Sequence, residues 1–236
     1  MKEFRQRAIS NDDQLRKRIV ETGKILGRYG FVSFLGSYAS GNISARLPRS
    51  NRILITPSGL AKAALNKREI CTMDLDGTVI KGRLKPTTEM PTHLAIYKRR
   101  PNVNAIIHTH PTYATAFAVA KRKIPVVTIE MAGLVGSDVP VVRFVIPGTQ
   151  ELGREVIRTL GDGVAVLLQN HGLITTGSTL DEALAATIVI EDDAMLACLA
   201  EAVAKPKTVP RTQIARIRKY IQTEYGQRKN LRPRLK

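Results

Sequence analysis

The chain has 236 residues, a net charge of +17, 43% apolar residues, 5% aromatics and no tryptophan; it can build a real core, as one large domain or two small ones. Residues 1–14 lack the apolar stretch of a signal peptide, no window reaches the roughly 18 apolar residues of a membrane helix, and Cys71 and Cys198 form neither a CxxC pair nor a disulfide framework, so a soluble protein of a reducing, cytoplasmic compartment is expected. The charge raises nucleic acid as a partner, but residues 201–236 hold +9 of the +17. Much of that lies in the tail Arg228 to Lys236, which reads as a solvated basic end, and the six tyrosines are scattered along the chain. Neither nucleic acid nor a membrane is expected as a partner; a diffuse positive field also suits a small anionic substrate.

Residues 12–29 read as a helix, with Asn11, Asp12 and Asp13 as caps and Leu15, Ile19, Val20, Ile25 and Leu26 at helical spacing. Gly36 to Ser44 reads as a small, polar loop whose backbone can approach a ligand closely. Arg52 to Thr56 is an expected strand running into the loop Thr56-Pro57-Ser58-Gly59. Ile70 to Asp74 is another, joined through the turn Asp76-Gly77 to Thr78-Val79-Ile80. Thr87 or Thr88 can cap the helix that follows, with Glu89 in its first turn, where the helix dipole favours an anion. His93 lies four residues on, on the same face, and is read as structural rather than as a metal ligand.

Ile106-Ile107-His108-Thr109-His110 is apolar at its start and then places two of the four histidines at i and i+2. Alternation along a strand points both imidazoles the same way, and Pro111 ends the strand. A helix through 114–120 and a solvated basic turn, Lys121-Arg122-Lys123, come next. Val126 to Met131 and Val141 to Val145 read as short strands, 150–160 as a helix, and Gly163 to Leu168 as a buried strand ending in Gln169-Asn170-His171-Gly172. Leu173 to Thr176 reads as a strand and 181–204 as a long helix whose Glu191-Asp192-Asp193 cluster reads as solvated. A basic amphipathic helix, 212–225, is last. Without a steady βαβ rhythm, repeat or linker, a mixed α/β single domain over 1–236 fits best, its basic C-terminal helix and tail starting from about 205.

His108, His110 and His171 form a set: two from one strand and one from the end of another. Three imidazoles with a fourth position open is the pattern of a catalytic zinc site, able to polarise a carbonyl. Glu89 is the candidate fourth partner and base. The stretches 41–44, 56–59 and 86–88 together suit a phosphate. No Walker loop and no GxGxxG supports nucleotide chemistry.

Taken in order, Gly41-Asn42-Ile43-Ser44, Thr56-Pro57-Ser58-Gly59, Pro86-Thr87-Thr88-Glu89, His108-Thr109-His110 and Asn170-His171-Gly172 resemble the motifs of the class II aldolase/adducin family, over roughly residues 12–200. Within it the pattern is nearest the L-fuculose-1-phosphate aldolase branch. The resemblance implies an αβα fold with a central, mainly antiparallel sheet flanked by helices, and a C4 homotetramer with active sites between subunits. It implies zinc, or another divalent metal such as manganese, on His108, His110 and His171 with Glu89, and Glu89 as acid/base. It also implies a phosphate held by residues matching Gly41, Asn42, Ser58, Gly59, Thr87 and Thr88, and Tyr225 as a tail tyrosine near the aldehyde. The implied reaction is reversible cleavage of a phosphorylated sugar to dihydroxyacetone phosphate and an aldehyde through a metal-stabilised enediolate.

The chain departs from the aldolase branch after Ile124-Pro125, where Ile129-Glu130 stands in place of a tyrosine. Sister branches remain open: ribulose-5-phosphate 4-epimerases, which usually have aspartate at the position of Glu89 but share the look of Met90-Pro91-Thr92-His93, and methylthioribulose-1-phosphate dehydratases, which keep metal and glutamate. Non-enzymatic, adducin-like members lose the metal residues that this chain keeps.

Overall fold

A computed structural model describes residues 2–34 and 38–225; Gly36 and Ser37 of the first expected loop, and the tail Arg228 to Lys236, lie outside the described residues. Its centre is an eight-stranded sheet made of β3 (Asn42–Arg46), β4 (Arg52–Ile55), β5 (Cys71–Asp74), β6 (Val79–Lys81), β7 (Ala105–Thr109), β8 (Val141–Val142), β9 (Ala165–Leu168) and β10 (Gly172–Gly177). The order across the sheet is β6-β5-β4-β3-β7-β10-β9-β8. Every pairing is antiparallel except that of β8 with β9. Ahead of the sheet, β1 (Ser33–Phe34) and β2 (Tyr38–Ala39) form a short antiparallel pair.

Helices cover both faces, as the burial pattern of the central strands demands: β7, β9 and β10 are buried almost throughout, so neither side faces water. On one face α2 (Met90–Arg99) and α5 (Gln150–Leu160) pack Ile96, Tyr97, Leu152 and Val156 on Ile106, Val166 and Ile174. On the other, α1 (Lys2–Arg28) and α6 (Leu180–Val203) set Ile19, Leu26, Ala183 and Leu184 against Ile43 and Ile107. There α3 (Thr112–Val119) and α4 (Ile129–Leu134) join α6 around Leu167 and Leu173. The result is the αβα, mainly antiparallel architecture expected. The last helix, α7 (Arg211–Thr223), docks on α4, where the bare Gly133 leaves room for Ile221. No helix among the described residues is long and apolar enough to cross a membrane.

Several local expectations need correction. Asn42 and Ser44 lie in strand β3 rather than in a loop, because β3 is clasped between β4 and β7. The segment from Val126 is a strand only by composition: Thr128 turns its hydroxyl to the Met131 N–H (3.2 Å) and starts α4. The Val141–Val145 strand is cut to two residues. The start of α2 is shifted by one: Glu89 occupies the cap position without capping, and the Thr87 hydroxyl accepts from the Glu89 N–H at 3.3 Å.

The largest correction concerns Glu191-Asp192-Asp193, which is not a solvated cluster. Glu191 is buried and its two carboxylate oxygens accept from the Tyr113 and Ala114 N–H groups at 2.9 and 2.7 Å, closing the start of α3. Asp193, fully buried, accepts from the Val127 N–H (2.9 Å) and the Thr128 hydroxyl (2.5 Å) ahead of α4. Only Asp192 is exposed. Two carboxylates on one helix thus accept from donors at the starts of two others, Glu191 at α3 and Asp193 just ahead of α4. Glu191→Gln, which sets an amide NH2 against one of those N–H groups, is expected to cost about 1–3 kcal/mol in urea unfolding; an unchanged midpoint would show that α3 does not rely on this cap.

Candidate metal centre and its surroundings

His108 stands at the centre of the sheet, on β7 between β3 and β10, paired with Asn42 on one side and Ile174 on the other. Its Nδ1–H donates to the Leu173 carbonyl at 3.0 Å, which fixes the tautomer and leaves the Nε2 lone pair facing inward. His110 lies one residue past the strand, its backbone N–H held by the Phe31 carbonyl at 2.8 Å. His171 sits in the β9–β10 turn behind Asn170, a non-glycine residue at φ 58°. Gly172 makes the approach of the turn to β7 possible: a Cβ there would lie 2.4 Å from the Thr109 carbonyl and 2.7 Å from the His110 ring.

The three imidazoles converge. Nε2 of His108 lies 3.0 Å from Nε2 of His110 and 3.2 Å from Nε2 of His171. Glu89 closes the group, with Oε2 3.1 Å from His108 Nε2 and Oε1 3.2 Å from His171 Nε2. Ligands about 2.05 Å from a tetrahedral zinc ion stand about 3.3 Å from one another, so these atoms are spaced as the corners around one cation. The residues present fit a divalent metal, and the three histidines form a group that could hold one.

The electrostatics point the same way. Burial lowers the proton affinity of His108 and His171, and burial followed by the neighbouring His108 brings His110 down to about 4. All three are therefore neutral at pH 7 and able to ligate a cation. Burial pushes the Glu89 carboxyl up, but in the acid range where it titrates the protonated His108 and His171 rings, together with the Asn42 amide, bring it down to about 2, so it is ionised at pH 7.

Behind Glu89 lies a second layer of buried polar groups. The Asn42 Nδ2–H donates to Glu89 Oε2 at 2.9 Å, and the Asn42 carbonyl meets His93 Nε2 at 2.5 Å. Ser44 Oγ lies 2.6 Å from His93 Nδ1 and 2.8 Å from the Tyr97 hydroxyl. His93 thus lies behind Glu89, in contact with Asn42 and Ser44, and outside the group of converging imidazoles. Ser44 and Tyr97 were not assigned a role from the sequence, although the signal was there: 42 and 44 share a strand face, and 89, 93 and 97 share a helix stripe.

The expected phosphate residues divide. The loops at 56–59 and 86–88 are laced together: the Ser58 N–H donates to the Lys85 carbonyl at 3.0 Å and the Thr87 N–H to the Thr56 carbonyl at 3.1 Å. This leaves Ser58, Gly59 and Thr88 exposed on one rim, while Thr87 is buried. A Cβ at Gly59 would meet nothing within 4 Å. Gly41 is different: at φ 69° its backbone passes so close to β7 that a Cβ would lie 2.6 Å from the His108 carbonyl. The amide of Asn42 is engaged by Glu89 and His93. Tyr225, 63% exposed, lies past the end of α7 with its ring beside Tyr220; among the described residues its side chain makes no hydrogen bond to the histidines or Glu89.

Comparison with known proteins is in keeping with this geometry. A family model described as the Class II Aldolase and Adducin N-terminal domain matches residues 17–198. An L-fuculose phosphate aldolase of Methanococcus maripaludis is 40% identical over 158 residues, covering 67% of this chain and 84% of that protein. An L-ribulose-5-phosphate 4-epimerase of Salmonella paratyphi B is 31% identical over 201 residues, covering 80% of this chain and 86% of that one. A solved structure of an L-fuculose 1-phosphate aldolase superposes with a TM-score of 0.82 at 29% identity, covering 89% of this chain and 96% of that chain.

Two outcomes are expected. Gly172→Ala should weaken zinc binding in equilibrium dialysis by about tenfold or more, on the scale of supporting-shell changes; wild-type affinity would mean that the turn is not held against the His110 ring. In the metal-free protein, unfolded histidine takes up a proton near 6.5 but folded His110 only near 4. The unfolded state then binds more protons, so the stability present above 6.5 is lost as pH falls toward 4. The melting temperature should drop across that window, and less so in His110→Ala; parallel curves would contradict the assignment.

Proposed function

The chain belongs to the class II aldolase and adducin family, and we propose that it is a divalent-metal-dependent lyase that reversibly cleaves a ketose 1-phosphate of the L-fuculose 1-phosphate kind to dihydroxyacetone phosphate and an aldehyde. The observation that carries this reading is Glu89: one ionised carboxylate with an oxygen within 3.2 Å of each of two imidazoles whose lone pairs converge. Such a group can belong to the cation and also take a proton from carbon beside it.

His108, His110 and His171 would hold the cation, and the donor set of three imidazoles and one carboxylate suits zinc, with manganese as the alternative. When bound, that cation supplies electrophilic charge to the hydroxyl and carbonyl oxygens of the ketose. In the condensation direction Glu89 accepts the proton of the carbinol carbon of dihydroxyacetone phosphate, and in cleavage it returns that proton to the same carbon. The rim formed by Ser58, Gly59 and Thr88, with Thr87 and Asn42 beneath it and Gly41 supporting the backbone, offers N–H and hydroxyl donors to the phosphate. Tyr225, exposed past the end of α7, would reach the aldehyde end of a neighbouring subunit's site in a C4 homotetramer. The protein acts in the cytoplasm as a single domain over 1–236.

The second reading, a pentulose-5-phosphate 4-epimerase, is favoured by the similarity to the epimerase over 80% of this chain. The two separate on where the phosphate lies. An aldolase of this kind exchanges the carbinol proton of dihydroxyacetone phosphate with deuterated water before any aldehyde is added, and a chelator abolishes the exchange. Glu89→Gln should retain the metal and lose the exchange by about 10²–10⁴-fold. Rapid exchange in that variant would remove Glu89 from the base role. A wild-type protein that fails to exchange, yet inverts carbon 4 of a pentulose 5-phosphate, would replace the aldolase reading with the epimerase one.

A further inference from the structure

Asn42 is flanked by two groups that ask opposite things of a primary amide. Its side chain can turn by 180° and present either its oxygen or its NH2 to Glu89, at nearly the same shape. With the oxygen toward Glu89, a carbonyl dipole would oppose an ionised carboxylate at hydrogen-bond distance. With the NH2 toward Glu89, the amide supplies a donor to Oε2. What holds Asn42 in the second arrangement is on its other side, where its oxygen meets His93 Nε2 at 2.5 Å.

The protons in this cluster can be counted. Asn42, Ser44, His93 and Tyr97 are all buried, at 3%, 0%, 1% and 1% exposure, so water does not mediate between them. If His93 carries its proton on Nε2, it donates to the Asn42 oxygen, and its Nδ1 lone pair accepts from the Ser44 hydroxyl. Ser44 Oγ then accepts from the Tyr97 hydroxyl. Every contact has one donor and one acceptor, and all run in one direction, from Tyr97 through Ser44, His93 and Asn42 to Glu89. If His93 instead carries its proton on Nδ1, its Nε2 demands the Asn42 NH2 and turns the amide oxygen onto the carboxylate. A doubly protonated ring is disfavoured by burial, which holds His93 at about 3. Chains of buried hydrogen bonds with a single direction polarise one another.

We infer that His93, held as its Nε2–H tautomer by Ser44 and Tyr97, is a positioning residue that locks the Asn42 amide so that it donates to Glu89 and fixes the orientation of that carboxylate as the base. This deepens the function proposed above and rests on it for its kinetic consequence. Glu89 itself makes no helix-cap bond, and among the described residues Asn42 is the one side chain whose N–H donates to its carboxylate. With three histidines left to hold a cation, the relay is expected to act on turnover more than on metal retention. It also divides the part played by Asn42: one N–H of its NH2 group goes to the carboxylate, which leaves the other, with the exposed rim of Ser58, Gly59 and Thr88, for an anion.

The test has two arms. In the zinc-loaded wild-type protein, nitrogen-15 long-range correlation spectra of the four histidines should show His93 as the Nε2–H tautomer at pH 7; the Nδ1–H tautomer would overturn the inference whatever the reaction is. In the exchange assay with dihydroxyacetone phosphate, His93→Leu should lower kcat by about 10–100-fold, the range seen for residues that support a metal site. KM and zinc content should stay within about twofold, and His93→Gln, which restores a donor toward Asn42, should recover most of the loss. Unchanged kcat in the leucine variant, a rise in KM alone, or equal losses in the leucine and glutamine variants would each overturn it. If leucine at 93 does not fold, Ser44→Ala, which frees the tautomer, must lower kcat several-fold at constant KM, and an unaltered kcat there overturns the inference. Failure of the wild-type protein to exchange would instead strike the proposed function, leaving the tautomer result to decide the relay.

Discussion

The hydrogen bond from His108 to the Leu173 carbonyl is the contact on which the centre depends. A ring at 1% exposure in the middle of an eight-stranded sheet has no water to satisfy it, so one nitrogen must bond within the protein. By donating Nδ1–H across β7 to β10 at 3.0 Å, His108 ties together the strand that leads to His110 and the strand that begins after His171. The remaining lone pair can then face only the other two rings and Glu89. In a dry environment three neutral imidazoles with converging lone pairs, beside an ionised carboxylate, are poorly satisfied by one another. A divalent cation resolves that conflict, which is why the geometry is itself an argument for one.

The rest of the fold keeps that cluster in register. Pro111 follows His110 at once and leads into α3, whose first N–H groups are held by Glu191 from α6. Asp193, on the same helix, does likewise for the approach to α4. One long helix on the far face of the sheet therefore sets the chain leaving the histidine strand β7 through two buried carboxylates. The cost of desolvating them, which raises the proton affinity of both, is offset by the donors they accept. Their side chains are spent on helix ends and are not free for chemistry.

What could be read in the sequence follows from how local each signal is. His108 and His110 were legible because a strand's period of two is a local rule, and Glu89 because it opens a helix next to threonines. The sheet core was legible from continuous apolar runs such as 164–168. The acidic cluster on α6 was not, because a run of three charges looks the same whether it faces water or the N-termini of two helices some 65 to 78 residues away. The start of α4 was misread for a similar reason: Val126, Val127 and Ile129 favour strand, but the Thr128 hydroxyl and the Asp193 carboxylate decide the backbone there. Tertiary partners overrode propensity in both cases.

The motif that begins at Gly41 illustrates a further limit. Read along the chain, Gly41, Asn42 and Ser44 look like one polar loop shaped for an anion. In the sheet they do three different things. Gly41 is bare because the His108 carbonyl leaves no room for a side chain; Asn42 faces Glu89; and Ser44 faces His93 two residues further along the same side of β3. Small and polar composition was demanded here by closeness to the buried histidine strand β7, which from sequence alone looks the same as closeness to a ligand. The residues that remain open to solvent, Ser58, Gly59 and Thr88, come from loops laced to each other by backbone hydrogen bonds. Under the proposed function a phosphate would meet a rim of backbone fixed by these bonds, with Glu89 and the groups behind it one layer deeper.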